Sequence, residues 1–327
     1  GIPYALISGV AHAITVYQLA KLCRKWKPDI LVAHGFPEHI LGRWAGLFAQ
    51  VPHWVQVEHN SRERYTSWKL WQSRFLSKKT RYSVGVSEGV TEVLRSQRLF
   101  SRIVAIPNGV DTDKFVRHSQ NTIGQRPKDL IMVARFAKSK DQITLIQALG
   151  LLKAQGICPN LSFFGGGSSR YLKKVKELAA RYSLESQVSF CTHTPNVDQE
   201  LAAHKIFVMS SFYEGLNLSV LEAMASGCVV VGSDAVGVRE LIRDGDDGFV
   251  FKIGDSERLA NIIESILAAP ENFQSFADKA RLKAQQFYDK KHVNQAYQDL
   301  LLPLVTGRVN DENHMTRDIG QPSAQAR

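Results

Sequence analysis

The chain is short of the residues that staple a fold or span a membrane. Its four cysteines, Cys23, Cys158, Cys191 and Cys228, are scattered among 327 residues, with no CxxC pair and no histidine at zinc-finger spacing. That excludes a disulfide scaffold and a zinc-stapled domain, and it reads as reduced thiols in a cytosolic protein. No apolar run approaches the roughly 18–20 residues of a membrane-spanning helix, and the most hydrophobic stretches, such as 228–232, are strand-sized. No repeat of solenoid length is present, and no signal-peptide pattern opens the chain, which starts at Gly1. Acidic residues are outnumbered, 31 against 41 basic ones, for a net charge of +10. Such an excess favours anionic partners: phosphorylated small molecules, acidic lipid surfaces or nucleic acid. Hydrophobic residues make up 44%, enough for a sizeable core, and the length sets a prior of two domains.

What is present is a rhythm of strand and helix. Apolar runs at 30–33, 54–57, 83–86 and 103–106 alternate with helix-length segments at 40–49, 62–79 and 88–96. A polar stretch at 117–128 follows Pro107-Asn108-Gly109-Val110-Asp111, and then the rhythm restarts. Strands are expected at 130–134, 161–164, 188–190, 206–209 and 229–232. Helices are expected at 142–155, 170–182, 218–225, 238–242, 256–267 and 272–302. Alternating short apolar runs and periodic helical segments predict βαβ units and mostly parallel sheets. The expected organisation is an α/β chain with doubly wound domains at 1–117 and 118–305 and a disordered tail at 306–327.

In doubly wound sheets ligands bind at the carboxyl ends of strands, where helix N-termini offer positive potential. Arg135 and Lys140 follow one expected strand, a fork and a point charge suited to a diphosphate; the plainer reading is two surface cations. Gly165 and Gly166 open a Gly-Gly-Gly loop after another strand, which is either a common turn or a place where backbone approaches a ligand. Glu214 precedes a helix that carries Glu222, so both carboxylates can border one crevice and accept hydrogen bonds from sugar hydroxyls. Backbone N–H groups at Gly215, Leu216, Asn217 and Leu218 would add a helix start for phosphate. Glu222 could be a solvated helix residue, but Leu221, Ala223, Met224 and Ala225 make that helix largely apolar, so a glutamate there needs a reason.

These motifs resemble those of glycosyltransferase family 4, the retaining GT-B enzymes that use nucleotide sugars. The Ser-x-x-x-Glu-Gly-x6-Leu-Glu-Ala-Met-Ala-x-Gly run from Ser210 is similar to the family's signature. Val133-Ala134-Arg135-Phe136 with Lys140, the Pro107–Asp111 run, and Gly237-Val238-Arg239-Glu240 with Gly245 and Gly248 match three further segments in the same order. The resemblance implies two Rossmann-like domains facing a cleft. It implies that Arg135 and Lys140 neutralise the diphosphate, Glu214 contacts the donor sugar and Glu222 holds the ribose. It also implies that His59 faces the transferred sugar, although as a single histidine it is equally an ordinary loop residue; His34 has less support. The implied reaction is retaining hexose transfer from a UDP- or GDP-linked sugar to a glycan or lipid-linked acceptor, in cell-surface polysaccharide or lipopolysaccharide synthesis. No metal or other cofactor is expected. Asp141 and Asn217 stand where the family commonly has glycine. Nothing before Ile30 matches the family's opening strand and glycine-rich loop, so an N-terminal truncation is expected.

Other readings compete. A GT-B sugar-nucleotide epimerase or an inactive sugar-nucleotide-binding protein would share the motifs. A nucleic-acid-binding protein would suit the charge, but no RRM, KH or helix-turn-helix signature supports it. Asp111-Thr112-Asp113 is formally a DxD, and Asp244-Gly245-Asp246-Asp247-Gly248 has a calcium-like look without an EF-hand's spacing; both read better as hinge and turn. Between Ser61 and Tyr82, basic residues are interleaved with Tyr65, Trp68, Trp71, Phe75 and Tyr82. On one helix those aromatics would share a face, either packed in the core or set against an acidic membrane as a peripheral contact on its cytosolic side.

Overall fold

The computed structural model describes residues 4–7, 11–36, 38–60, 66–116, 118, 121–192 and 194–307. The described residues divide into two compact units, one comprising those up to Pro107 and those from Val293 to Gly307, the other those from Asn108 to His292.

The first unit runs α1 (His12–Trp26), β1 (Ile30–His34), α2 (Glu38–Ala49), β2 (His53–Glu58), α3 (Ser67–Ser77), β3 (Thr80–Gly85), α4 (Glu88–Gln97) and β4 (Ile103–Ala105). Its four strands pair in sequence order, all parallel. Parallel neighbours require crossovers, and the helices supply them. Trp54, Val55, Val57 and Val84 are buried in the sheet, and Ile40, Trp54 and Leu76 form one core cluster with Val51. Ser87 caps α4 by accepting the Val90 amide.

The second unit continues with α5 (Thr112–Val116), β5 (Lys128–Val133), α6 (Gln142–Ala154), β6 (Leu161–Phe164), α7 (Ser169–Arg181), β7 (Val188–Cys191), α8 (Val197–Ala203) and β8 (His204–Met209). It ends with α9 (Leu218–Ala225), β9 (Val229–Ser233), α10 (Val236–Arg239), β10 (Phe249–Phe251), α11 (Ser256–Ala268), α12 (Gln274–Phe287) and the start of α13 (Lys290–Thr306). Its six strands are parallel in the order β10-β9-β8-β5-β6-β7. The strands at the centre read as unbroken apolar runs, with Leu130, Ile131, Met132, Ile206, Phe207, Val208 and Val229–Val231 all inaccessible, because helices cover both faces. The unit's first strand, β5, lies between β6 and β8, so chain progression reverses there. The β5–β8 junction is a topological switch point, the place where such sheets bind ligands.

The expected α/β class with parallel sheets is what forms; several boundaries differ. The division falls at Pro107, earlier than the expected boundary at residue 117, because the hinge segment is tied into the second unit. The Val110 N–H donates to the Tyr288 carbonyl at 2.8 Å, the Lys290 N–H donates back to Val110 at 2.9 Å, and Thr112 donates to Asp289. The expected helix over 272–302 is broken at Tyr288–Asp289 by the same clasp. The expected helix over 62–79 begins at Ser67, where Thr66 caps it, and ends at Ser77. Tyr82 therefore lies on β3 and is buried, not on a helical aromatic face. Ser61 to Tyr65, Arg117 and the expected tail beyond Gly307 lie outside the described residues.

Candidate functional site

Four charged residues expected to act on a ligand lie in the second unit, and two of them touch. β5 ends at Val133, and the chain passes Arg135 into a short turn over Lys138–Lys140 before α6. The neighbouring strand β8 ends at Met209 and leads through Ser210 and Ser211 to Glu214. The Lys140 ammonium donates to the Glu214 carboxylate, both side chains being largely buried, and Ser211 Oγ donates to the same carboxylate oxygen at 2.6 Å. Ser210 Oγ donates to the carbonyl of Asp141 at 2.8 Å, and the Phe212 N–H donates to that of Ser139 at 2.9 Å. The two strand-end loops are thus sewn together over the switch point. Arg135 is exposed beside them and makes no ion pair among the described residues.

Asp141 explains why glycine is natural at its position. It sits at φ 47°, the left-handed region that favours glycine, and its buried carboxylate accepts from Thr144 Oγ1 at 2.5 Å. Burial raises its pKa. Asn217 has φ −86°, which needs no glycine; it caps α9 by accepting the Val220 N–H at 3.1 Å. Gly215 and Leu216 are buried just before that cap, with Leu218 at the first position of the helix. Gly237 holds this loop from behind: a Cβ there would lie 1.9 Å from the Gly215 carbonyl oxygen. About one turn into α9, Glu222 is held where burial pushes its carboxyl up to about 7, with the nearby Lys114 ammonium working against that shift.

The glycine loop serves the backbone. A Cβ on Gly165 would lie 2.2 Å from the Ala134 oxygen, and one on Gly167 would lie 2.5 Å from the Phe136 oxygen. The Phe136 N–H donates to Gly166 at 2.7 Å. Gly166 alone has open space at its Cβ position. The loop therefore props the segment that carries Arg135, and only Gly166 leaves room at its own position.

In the first unit His59 follows β2, and His34 ends the adjacent strand β1. His34 Nδ1 and His59 Nε2 are 3.1 Å apart, with the rings stacked at 5.4 Å. One nitrogen must donate and the other accept. Burial lowers both pKa values, and His34 adds charge repulsion at His59. The His59 backbone N–H donates to the buried Glu58 carboxylate at 3.0 Å. The sequence reading ranked His34 low; adjacent parallel strand ends would have paired the two. It gives no role to Ser210 and Ser211, which open the signature and fasten it.

The two acidic runs are tied into their surroundings. Asp111 and Asp113 pair with Lys290 and Lys291 at 2.6 and 2.8 Å. Asp244 to Gly248 is a tight turn, with Gly245 at φ 75° and its N–H donating to Gly248. Among the described residues no group of three or more His, Cys, Asp or Glu side chains is placed to hold a metal ion.

Two Rossmann-like units of parallel strands, the second with charged groups gathered at its switch point, define the GT-B class. Solved structures share this fold: Anabaena Alr3699/HepE in complex with UDP aligns with a TM-score of 0.76 at 22% identity, covering 88% of this chain and 81% of that one. A glycosyltransferase from Rickettsia africae aligns at 0.75 and 18% identity, over 93% and 84%. The model of glycosyl transferases group 1 matches residues 113–283 and that of Glycosyltransferase Family 4 matches residues 5–114, so the chain belongs to this glycosyltransferase family. The second match starts well before Ile30 and lends no support to the expected truncation. Among curated relatives, the putative glycosyltransferase EpsD of Bacillus subtilis is 31% identical over 59% of this chain. The alignment spans 54% of EpsD's own length. An Escherichia coli UDP-Gal:alpha-D-GlcNAc-diphosphoundecaprenol alpha-1,3-galactosyltransferase is 25% identical, over 79% of this chain and 70% of that protein.

Proposed function

We propose that the chain transfers a hexose from a nucleotide diphosphate sugar to a glycan or lipid-linked acceptor, with retention of configuration, in cell-surface polysaccharide or lipopolysaccharide synthesis. The observation that carries this reading is the Lys140–Glu214–Ser211 cluster at the β5–β8 switch point, with Arg135 beside it. Arg135 and Lys140 supply the fixed charge that stabilises a departing diphosphate. Glu214 is placed to exchange its hold on Lys140 for hydroxyls of the donor sugar, and Glu222 accepts from the ribose. Gly215, Leu216, Asn217 and Leu218 offer the N–H groups of a helix start to phosphate, and Gly165 and Gly166 hold the Arg135 segment beneath it. For His59 the support is the resemblance and its place at the end of β2. No metal is assigned a role. The names of relatives agree in kind: one acts with UDP-Gal on a lipid diphosphate, and another is a lipopolysaccharide core biosynthesis glycosyltransferase from Rhizobium meliloti. Among the described residues no helix is long and apolar enough to cross a membrane; a peripheral position on the cytosolic face is part of the proposal.

The test is a panel of UDP-, GDP- and ADP-hexoses incubated in EDTA with lipid-linked and oligosaccharide acceptors. Products are read by mass spectrometry and the new anomeric centre by NMR. The reading expects one donor to give an acceptor heavier by one hexose with the donor's anomeric configuration kept. Inverted product, epimerised donor, or activity that appears only on adding Mn²⁺ would each overturn part of it.

A further inference from the structure

The first unit carries a surface that the transfer chemistry does not use. On α3, Trp68, Trp71 and Phe75 stand 65%, 52% and 46% exposed, and on α2 Phe48 is 55% exposed. These rings are stacked in a single file that crosses from one helix to the other. Trp68 to Trp71 is 4.9 Å between centroids, Trp71 to Phe75 6.1 Å, Phe75 to Trp44 5.6 Å and Trp44 to Phe48 5.9 Å, all within 23° of parallel. Large exposed aromatics in contact are unusual on a surface that meets only water, since each leaves apolar area hydrated. The indole N–H of Trp44, fourth in the file, donates to Gln72 Oε1 at 2.8 Å, so its polar edge needs no water.

Charge surrounds the file. Arg24 donates to the Phe48 carbonyl at 2.9 Å, and Lys69, Arg74 and Lys78 are interleaved with the rings along and just after α3. Neither α1 nor α3 has an acidic residue. Residues 1–107 hold fifteen Lys and Arg against six Asp and Glu, so +9 of the chain's +10 lies in this part. A second copy seated on the same face would bring like charge against like charge. An anionic surface would not.

We infer that the Trp68-Trp71-Phe75-Trp44-Phe48 file, with its flanking basic residues, docks on the anionic phospholipid headgroups of a bilayer. Stacked aromatic rings are the side chains that settle at the headgroup level, and each nearby cation adds attraction to acidic lipid. This gives a surface to the peripheral placement proposed above, narrowing it from the whole stretch of residues 61–82 to α3 and its α2 neighbours.

All five tryptophans of the chain, Trp26, Trp44, Trp54, Trp68 and Trp71, lie in this unit, so its emission reports the docking. The intact chain, without donor or acceptor, is mixed with phosphatidylcholine vesicles or with vesicles that also hold phosphatidylglycerol, and cosedimentation and quenching by brominated lipid are measured. Binding to the anionic vesicles is expected to exceed that to neutral ones by about tenfold or more and to weaken in high salt. The triple variant Trp68→Ala/Trp71→Ala/Phe75→Ala, whose rings are exposed, should lose about tenfold; Arg74→Glu/Lys78→Glu, which keeps every ring, should lose as much. Equal binding to both vesicle types, no quenching, or full binding by the triple variant would overturn the inference. So would a dimer in sedimentation equilibrium that the triple variant abolishes. Nucleotide binding is measured on the same samples, so failure at the vesicle and failure of the transfer reading are told apart.

Discussion

Lys140→Ala is expected to lower turnover at saturating donor by about 100- to 1,000-fold, the usual loss when one preorganised donor to developing charge is removed. Two effects combine. On the proposed function the diphosphate would lose a cation, and the largely buried Glu214, which also accepts from Ser211, would lose the Lys140 charge beside it. Arg135→Ala should be milder in kcat. Arg135 is exposed, and losing one charge-assisted contact there costs about 1.5–3 kcal/mol, roughly 10- to 150-fold in donor affinity. Glu214→Gln should lower kcat while leaving the affinity for bare nucleoside diphosphate nearly unchanged, because contacts to the transferred hexose act as the bond to phosphate breaks. Steady-state kinetics with each variant, read as kcat and KM separately, checks the ordering. If Glu214→Gln weakened nucleotide binding and spared kcat, the pair would be only a nucleotide clamp.

Glu222 gives the second large effect, and its sign follows from its burial. The carboxyl titrates near 7 in the folded chain, raised from 4.5 chiefly by desolvation. Between those values the folded chain binds more protons than the unfolded one, so this group's contribution to stability falls as pH rises through the window. Glu222→Gln, with no charge to bury, should therefore be more stable than the parent at pH 8, by something on the order of 2–3 kcal/mol, with the gap closing toward pH 4. Donor binding runs the other way. The ionised carboxylate is the better acceptor for ribose hydroxyls, so affinity for a hexose-linked nucleotide should fall about 10- to 100-fold from pH 8 to pH 5. The Gln variant should bind weakly and without that slope. A hexose-linked donor is the right probe, because the terminal phosphate of a bare nucleoside diphosphate titrates near pH 6 itself. Thermal melts and titrations across pH on both proteins check the two signs together. A pH-independent parent affinity would remove Glu222 from the ribose role.

The sequence made the second unit far more legible than the edges of the first. Apolar runs such as 206–209 and 229–232 are short, β-rich and flanked by turn residues, and they became the central strands of a fully covered sheet. The signature placed Glu214 and Glu222 correctly on either side of one helix start. The contact between Lys140 and Glu214 was not legible, because it depends on β5 lying next to β8, a neighbour fixed by topology and not by distance along the chain. β10 was missed because three residues after a Gly-Asp turn carry no periodicity. The aromatic face was read too long: periodicity continued past Ser77, but Leu76 and Thr80 turn inward and the chain enters β3. Gly165 and Gly166 suggested either a turn or ligand approach; what packing adds is a backbone requirement for glycine at 165, against Ala134, and at 167, against Phe136.

On the proposed function, the β5–β8 switch point of the second unit holds a nucleotide diphosphate sugar through Arg135, Lys140 and Glu222. Calorimetric titration of the intact chain in EDTA with UDP, GDP and ADP, and with the hexose derivative of each, tests it most directly. Saturable heat is expected for one nucleotide family, weakened about 10- to 150-fold in Arg135→Ala and in Glu222→Gln. No heat with any of the six at millimolar concentration, or binding that both substitutions leave untouched, would contradict it.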